Sequence, residues 1–490
     1  MNGERSLSCR HGELIGFRDI PNLKFEDFAE AVIGTVQGGD RLIALFAQPD
    51  DIGHQLFAVT SARDEGALRI CSTHVKDTYP SLTLHCTQAH WFEREIAELW
   101  SITPQGHPWL KPIRFSKSPA GVTEFFSIAG TDVHEVAVGP VHAGVIEPGH
   151  FRFSCAGETI LHLEISLGYQ HRGVEQALKN GPNPRTIHYM ETLAGDTSVG
   201  HATAYCQNME TLSRGRVSLR AMVLRSVSLE LERLANHAGD LGALAGDVGY
   251  LPVASHCGRI RGDFLNLTAH LCGNRLGRGI ARPGGVAFDL DERQVDMLQQ
   301  KLDQAFADVS TTAQLLWETP LVINRFEGTG TLSAAQCREL GIVGPPARAA
   351  GMEQDVRLDY PSDVFSFAQI PVSLWHTGDV FGRAHVRWLE IVRSVEFIRA
   401  RLATLPSESV QVALEPPASD ALSISLVEGW RGEICHIACT DSEGRFKWYK
   451  VIDPSFHNWA GLALAMRNQQ ISDFPLCNKS FNLSYCGHDL

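Results

Sequence analysis

Twelve cysteines run through the 490 residues, from Cys9 to Cys486, and no two stand at C-x-x-C spacing. Thiolates are the soft ligands for nickel, zinc and iron–sulfur clusters, and a self-contained site needs them in tighter groups. The nearest pair is Cys435 and Cys439. Most of the twelve therefore read as small buried hydrophobes, and a disulfide framework is not expected in a long chain of cytosolic type. Acid–base groups are better arranged. His171, Arg172 and Glu175 sit together in YQHRGVE, and HATAYC holds His201 and Tyr205. A phenol or an imidazole can hand over a proton. An Arg–Glu combination can stabilise charge, pass protons or form a buried ion pair. Asp196 offers a carboxylate that could relay protons or cap a helix. Glu230, Arg233 and His237 fall at i, i+3 and i+7 on one helix face, where an interhelical polar network is the expected role. Glu428, Arg431 and Glu433 in VEGWRGE read the same way. None of these groups stores electrons. No G-x-G-x-x-G opens a helix, so a flavin or nicotinamide fingerprint is missing. Redox chemistry here would draw its electrons from a partner.

The elements that must position these groups fall into two regions. Residues 25–118 read as a compact α+β unit. FEDFAEAVIGTV and HWFEREIAELWSI have helical spacing, while RLIALFAQ and QLFAVTSA read as strands. Residues 1–24 form an N-terminal segment, and 119–133 have no strong period and read as a linker. From 134 to 490 the pattern is a small β element, a helical middle and a second β element. HEVAVGPVHAGV, HFRFSCAGE and TILHLEISLGY read as strands of one small sheet. Leu224, Val227, Leu231, Leu234, Leu241 and Leu244 make an apolar helical stripe. Two further long helices are expected, over ERQVDMLQQKLDQAFADVSTTAQLLWETP and DVFGRAHVRWLEIVRSVEFIRARLATL. RGEICHIACTDSEGRFKWYKVID reads as a β-hairpin turning at DSEG. The fold class is α+β.

Composition narrows the function. A formal net charge of −13 with no compensating basic stripe argues against nucleic acid as a partner. No run of about 18 apolar residues is present, so no helix is expected to span a membrane. The N-terminus lacks the apolar core of a secretory signal.

GPVHAG (139–144), GYQHRGVEQAL (168–178), GHATAYC (200–206), LELERLANHAGDLG (229–242), ARPGGV (281–286), GDVFGRAHVRWLE (378–390), VEGWRGEICH (427–436) and DPSFHNWAGL (453–462) follow one another in this order. Together they resemble the large subunit of membrane-bound, group-four nickel–iron hydrogenases, and equally the quinone-site (49-kDa-like) subunit of respiratory complex I. The first region, through WFEREIAELWSI and GHP (91–108), resembles the neighbouring 30-kDa-like complex I subunit. The resemblance implies a fusion of the two, as in formate-hydrogenlyase-type large subunits.

The chain departs from the hydrogenase pattern where nickel would bind. The resemblance implies two C-x-x-C pairs. Anchored on His201, the first pair falls on Ala194 and Thr197; anchored on DFPL (473–476), the second falls on Ser484 and Gly487. All four thiolates are missing, so no nickel–iron centre and no metal bound by this chain are expected. Cys206, Cys477 and Cys486 fall nearby, out of register. The four substituted residues are small, which leaves space for a ligand.

The resemblance further implies a cavity at which a quinone headgroup is the possible cofactor. Tyr205 matches the tyrosine that donates to it. His142 and His150 lie in the loop that carries the other quinone partner, with a loop length that differs from the family's. His201 matches the histidine beside the hydrogenase metal, and Arg172 and Glu175 match residues near the cavity and its proton route. The implied partners are a small iron–sulfur subunit with a 4Fe–4S cluster and antiporter-like membrane subunits, with this chain peripheral on the cytoplasmic side of the inner membrane. A non-catalytic docking subunit of such a complex is the alternative.

Overall fold

Short, nearly continuous apolar runs in the first region build an antiparallel sheet from Leu42–Asp50, Gly53–Ala62 and Ala67–Val75, buried on both faces, in the computed structural model, which describes residues 5–142 and 146–490. Phe46 stands opposite Phe57, and Ala58 opposite Cys71. Helices Phe25–Gln37 and His90–Trp100 pack on this sheet. Strands Leu7–Cys9 and Asn22–Leu23 both add to the free edge of Ala67–Val75, while Ile15–Gly16 pairs with Ala421–Gly429 in the distant sheet of the second region. The N-terminal segment thus stitches the two regions together. Between Gln105 and Val133 there is neither helix nor strand.

The second region is a helical core with a sheet at each end, and the chain is α+β. Val133–Val138, His150–Ala156 and Thr159–Ser166 form one sheet. Ala421–Gly429, Gly432–Thr440 and Phe446–Ile452 form the other, with the second and third strands paired across the turn at Asp441–Arg445 as the sequence indicates. Between them lie Ser198–Leu212, Leu219–Asp247, Leu251–Cys272, Glu292–Trp317 and Val380–Ala403. Every leucine and valine of the stripe on Leu219–Asp247 is fully buried, and so are Glu230, Arg233 and His237 on the other faces. This helix is enclosed all round, so its polar side must be satisfied by partners from neighbouring elements.

The two regions share one continuous core. Trp448 of the second packs against Phe46 and Phe57 of the first, at ring separations of 5.2 and 5.3 Å. Beside this contact the Lys450 ammonium is buried against the Glu95 carboxylate at 2.7 Å, and Arg114 pairs with the same carboxylate. Arg41 pairs with Glu433 across the same junction.

Candidate functional site

Two chain segments carry the positions at which thiolates are missing, and one arginine joins them. Ala194 and Thr197 lie in the loop before helix Ser198–Leu212; Ser484 and Gly487 lie at the start of the short helix Tyr485–Asp489. Arg431 projects from the turn between strands Ala421–Gly429 and Gly432–Thr440. Its guanidinium donates to both carboxylate oxygens of Asp196 (2.5 and 2.8 Å), to the Thr197 hydroxyl (3.1 Å) and to the Asn482 carbonyl (2.5 Å). The neighbouring Trp430 indole donates to the Asp196 carbonyl and to the Thr197 hydroxyl, and the guanidinium lies 3.9 Å from its ring centroid. Burial works to raise the Asp196 pKa, but the Arg431 charge and hydrogen bonds outweigh it and hold the carboxyl below its ordinary range.

At Gly487 the space is already taken. A Cβ built there would lie 2.6 Å from the Asp453 carboxyl carbon. Asp453 caps the helix Pro454–Ala465 through the Ser455 N–H (2.8 Å) and meets His201 Nε2 at 3.1 Å. His201 Nδ1 then meets His436 Nε2 at 3.0 Å, and His436 Nδ1 meets the Tyr449 hydroxyl at 2.9 Å. All four side chains are buried. One arrangement of protons that gives every contact a donor and an acceptor has both imidazoles neutral. Burial acts to raise the Asp453 pKa, yet the His201 bond and the Arg431 charge bring it below the ordinary value, so Asp453 is an acceptor. His201 donates to it from Nε2 and accepts at Nδ1. His436 donates from Nε2 and accepts at Nδ1 from the Tyr449 hydroxyl. Burial and the neighbouring His201 keep His436 neutral, well below its usual range, and burial raises Tyr449 well above its own. The result is a directed chain of hydrogen bonds from Tyr449 to Asp453 through two imidazoles.

The predicted residues are distributed around this chain rather than gathered on one cavity. His201 is in it. Tyr205 is one helical turn further on, its ring 6.3 Å from that of Tyr449, and it is Tyr449 that bonds His436. His142 and His150 are turned onto their own loop: His142 Nε2 meets the Gly149 carbonyl at 2.9 Å and His150 Nδ1 the Gly139 carbonyl at 3.4 Å. Residues 143–145 of that loop lie outside the described residues. Glu147 fastens the loop beside the missing-thiolate positions, accepting from the Tyr485 and Cys486 N–H groups at 3.3 and 3.2 Å. Arg172 ties the Thr192 and Leu193 carbonyls (2.8 and 3.0 Å) to that of Cys486. Glu175 points elsewhere, to Lys450 at 3.0 Å and the Val451 N–H at 3.0 Å, in the junction between the regions. Arg172 and Glu175 therefore serve different places.

The residues present do not suit a nickel–iron centre. The four positions offer a methyl, a hydroxyl bonded to Arg431, a hydroxyl capping Gly487 at 2.9 Å, and no side chain at all. Ser484 Oγ meets Cys486 Sγ at 3.3 Å, and burial with the Glu147 charge pushes that thiol up to about 11, away from the thiolate a metal needs. No group of three or more His, Cys, Asp or Glu residues among those described is placed to hold a metal. Sequence reasoning missed His436, Tyr449 and Asp453. His436 and Asp453 lay inside the quoted segments VEGWRGEICH and DPSFHNWAGL, but no short spacing joins them to His201.

Comparison with known proteins identifies the class of molecule that carries this site. Residues 247–420 match the family model of the respiratory-chain NADH dehydrogenase 49 Kd subunit, and residues 35–121 that of the 30 Kd subunit. The chain belongs to the family that joins complex I 49 Kd-type subunits with related hydrogenase subunits, with a 30 Kd-type unit fused ahead of it. It is 31% identical to the carbon monoxide-induced hydrogenase of Rhodospirillum rubrum over 71% of this chain and 97% of that one. It is 28% identical to formate hydrogenlyase subunit 5 of Escherichia coli over 84% of this chain and 76% of the relative. It is 29% identical to NADH-quinone oxidoreductase subunit 4 of Thermus thermophilus over 70% of this chain and 90% of the relative. The 49 Kd match contains neither of the two missing-thiolate segments. No described helix is long and apolar enough to cross a membrane.

Proposed function

We propose that this chain is the nickel-free large subunit of a membrane-bound, complex I-like oxidoreductase, peripheral on the cytoplasmic side of the inner membrane. Electrons come from a partner small subunit with a 4Fe–4S cluster, pass to a quinone or another small carrier, and the step is coupled to ion translocation through antiporter-like membrane subunits. The observation that carries the reading is the Tyr449–His436–His201–Asp453 chain, set where hydrogenase ligands would converge. A quinone, when bound, takes up two electrons and two protons. Tyr205 and Tyr449 are phenols able to hold a proton near such a carrier. His150 Nε2, buried without a partner among the described residues, is a further group able to meet a carrier oxygen. The two imidazoles pass a proton by reversing their donor directions, and Asp453 stabilises the charge that forms.

The test is elemental analysis of the purified complex with hydrogen–dye activity on the same sample. Iron without nickel and without hydrogen turnover is expected; stoichiometric nickel with turnover sinks the reading. Quinone or carrier reduction with Tyr449→Phe and Tyr205→Phe comes next. A docking subunit without catalysis is the second reading, favoured by the carboxylate that fills the space at Gly487. It predicts that both phenol variants leave the assembled complex fully active.

A further inference from the structure

Four carboxyls and three guanidiniums are buried together in the second region. Glu230 accepts from Arg233 and Arg357, both at 3.1 Å, and from Ser394 at 2.6 Å. Glu390 accepts from Arg348 (2.7 Å), Arg233 (3.1 Å) and His237 (2.7 Å). Asp355 forks onto Arg357 at 2.9 and 2.6 Å. Glu428 accepts from Arg348 at 2.8 Å and from the Val356 N–H at 3.1 Å. With every carboxyl ionised, this cluster holds one negative charge in excess. An unbalanced buried charge is costly, and binding one proton removes it.

Contacts and access single out Glu428. Glu230 and Glu390 each meet two arginines, and so does Asp355, which forks onto Arg357 and lies 3.6 Å from Arg348. Glu428 shares its one guanidinium with Glu390. It is also the one member of the four that lines two cavities. The first, of about 220 Å³, lies between the two regions; Arg41, Arg63, Asp355, Asp359 and Glu433 also line it, and it reaches the exposed Arg63 and Glu353. The second, of about 20 Å³, has room for one water. It lies beside Thr203 and Gln207, on the helix that carries His201. The groups facing Glu428 come from every side: Arg348, Asp355 and Arg357 from the 345–359 segment, Glu230 and Arg233 from the long helix, Glu390 from Val380–Ala403, and Glu433 opposite it on the neighbouring strand, itself paired to Arg41.

We propose that Glu428 is a proton-binding site, loaded from solvent through the cavity between the two regions, its proton cancelling the surplus charge of the buried cluster. Burial and the Asp355 carboxylate push its pKa up to about 7, against the pull of Arg348, Arg357 and Arg233. The site involves no electron transfer, so it goes beyond the redox reading and stands apart from it.

Infrared spectroscopy of the purified full-length protein, titrated from about pH 5 to about pH 9, tests it through the carbonyl stretch of protonated carboxyls. A band that disappears with a midpoint near 7 is expected in the wild type, absent from Glu428→Gln and retained in Glu433→Gln and Glu232→Gln. No such band in the wild type overturns the proposal, as does an unaltered band in Glu428→Gln. Should Glu428→Gln fail to fold, Glu428→Asp keeps the carboxyl and moves its surroundings. A shifted frequency or midpoint is then expected, and an unchanged band is again decisive against Glu428.

Discussion

The Asp453 carboxylate lies where a side chain at position 487 would have to go, 2.6 Å from the Cβ that Gly487 lacks. The small residue there provides close packing rather than empty space. Gly487→Ala or Gly487→Cys is therefore expected to push Asp453 away from His201. Overpacking of this kind costs about 1–3 kcal/mol. Thermal denaturation checks the loss, and unchanged stability in both variants would show that the carboxylate has another place to go.

Asp453 also sets a pH dependence. Its folded pKa is depressed, so its contribution is present above the unfolded aspartate value of about 3.9 and is lost as pH falls through the lower folded value. Asp453→Asn keeps a good helix cap while removing the charge. The expected outcome of urea denaturation at a series of pH values is a flatter acid limb for Asp453→Asn than for the wild type. Asp453→Ala, which leaves the His201 Nε2 N–H without its acceptor, is expected to cost about 1–3 kcal/mol.

Arg431 holds the 194–197 loop to the 482–487 segment through four hydrogen bonds to Asp196, Thr197 and Asn482. Lysine has no planar fork and cannot keep the paired contact with Asp196. Arg431→Lys is expected to lose stability, and Arg431→Ala more. Asp196 is about a third exposed, which screens the pair. A double-mutant cycle with Asp196→Ala should return a coupling of about 1–3 kcal/mol; a coupling near zero would mean that the guanidinium is held by the other contacts.

Glu232 accepts from the Val199 and Gly200 N–H groups at the start of the His201 helix, at 2.7 and 3.2 Å. Burial pushes its pKa up to about 8 against those bonds. A carboxyl raised by folding binds its proton more tightly in the native state, so stability falls as pH rises from the ordinary glutamate value to about 8. Glu232→Gln should remove that fall. Denaturation midpoints of variant and wild type should thus move closer together, or cross in favour of the variant, on going from acid to alkaline pH.

Tyr449→Phe leaves His436 Nδ1 without its donor inside the core, a loss of about 1–3 kcal/mol. Tyr205→Phe removes no hydrogen bond found among the described residues and should be milder. Parallel chemical denaturation of the two variants decides which phenol the fold depends on.

The periodicity of the chain determined its helices and strands, because apolar side chains recur at about 3.6 along a helix and at 2 along a strand. The Leu224–Leu244 stripe and the strands on either side of DSEG were legible in this way. The order of the motifs carried the family resemblance, and the missing thiolates were legible as residue types. Which groups meet was decided by the tertiary structure. His201 joins His436 and Asp453 across more than 230 residues of sequence, a separation that no local spacing encodes. Arg431 turns toward Asp196, and Glu428, three residues before it, toward Arg348; strand and turn geometry sends these near neighbours to different partners. Arg172 and Glu175, close in sequence, part in the same way. The reason is physical. Hydrophobic patterning fixes local elements, but a buried polar group is placed by whichever partners the packed elements bring within hydrogen-bond reach.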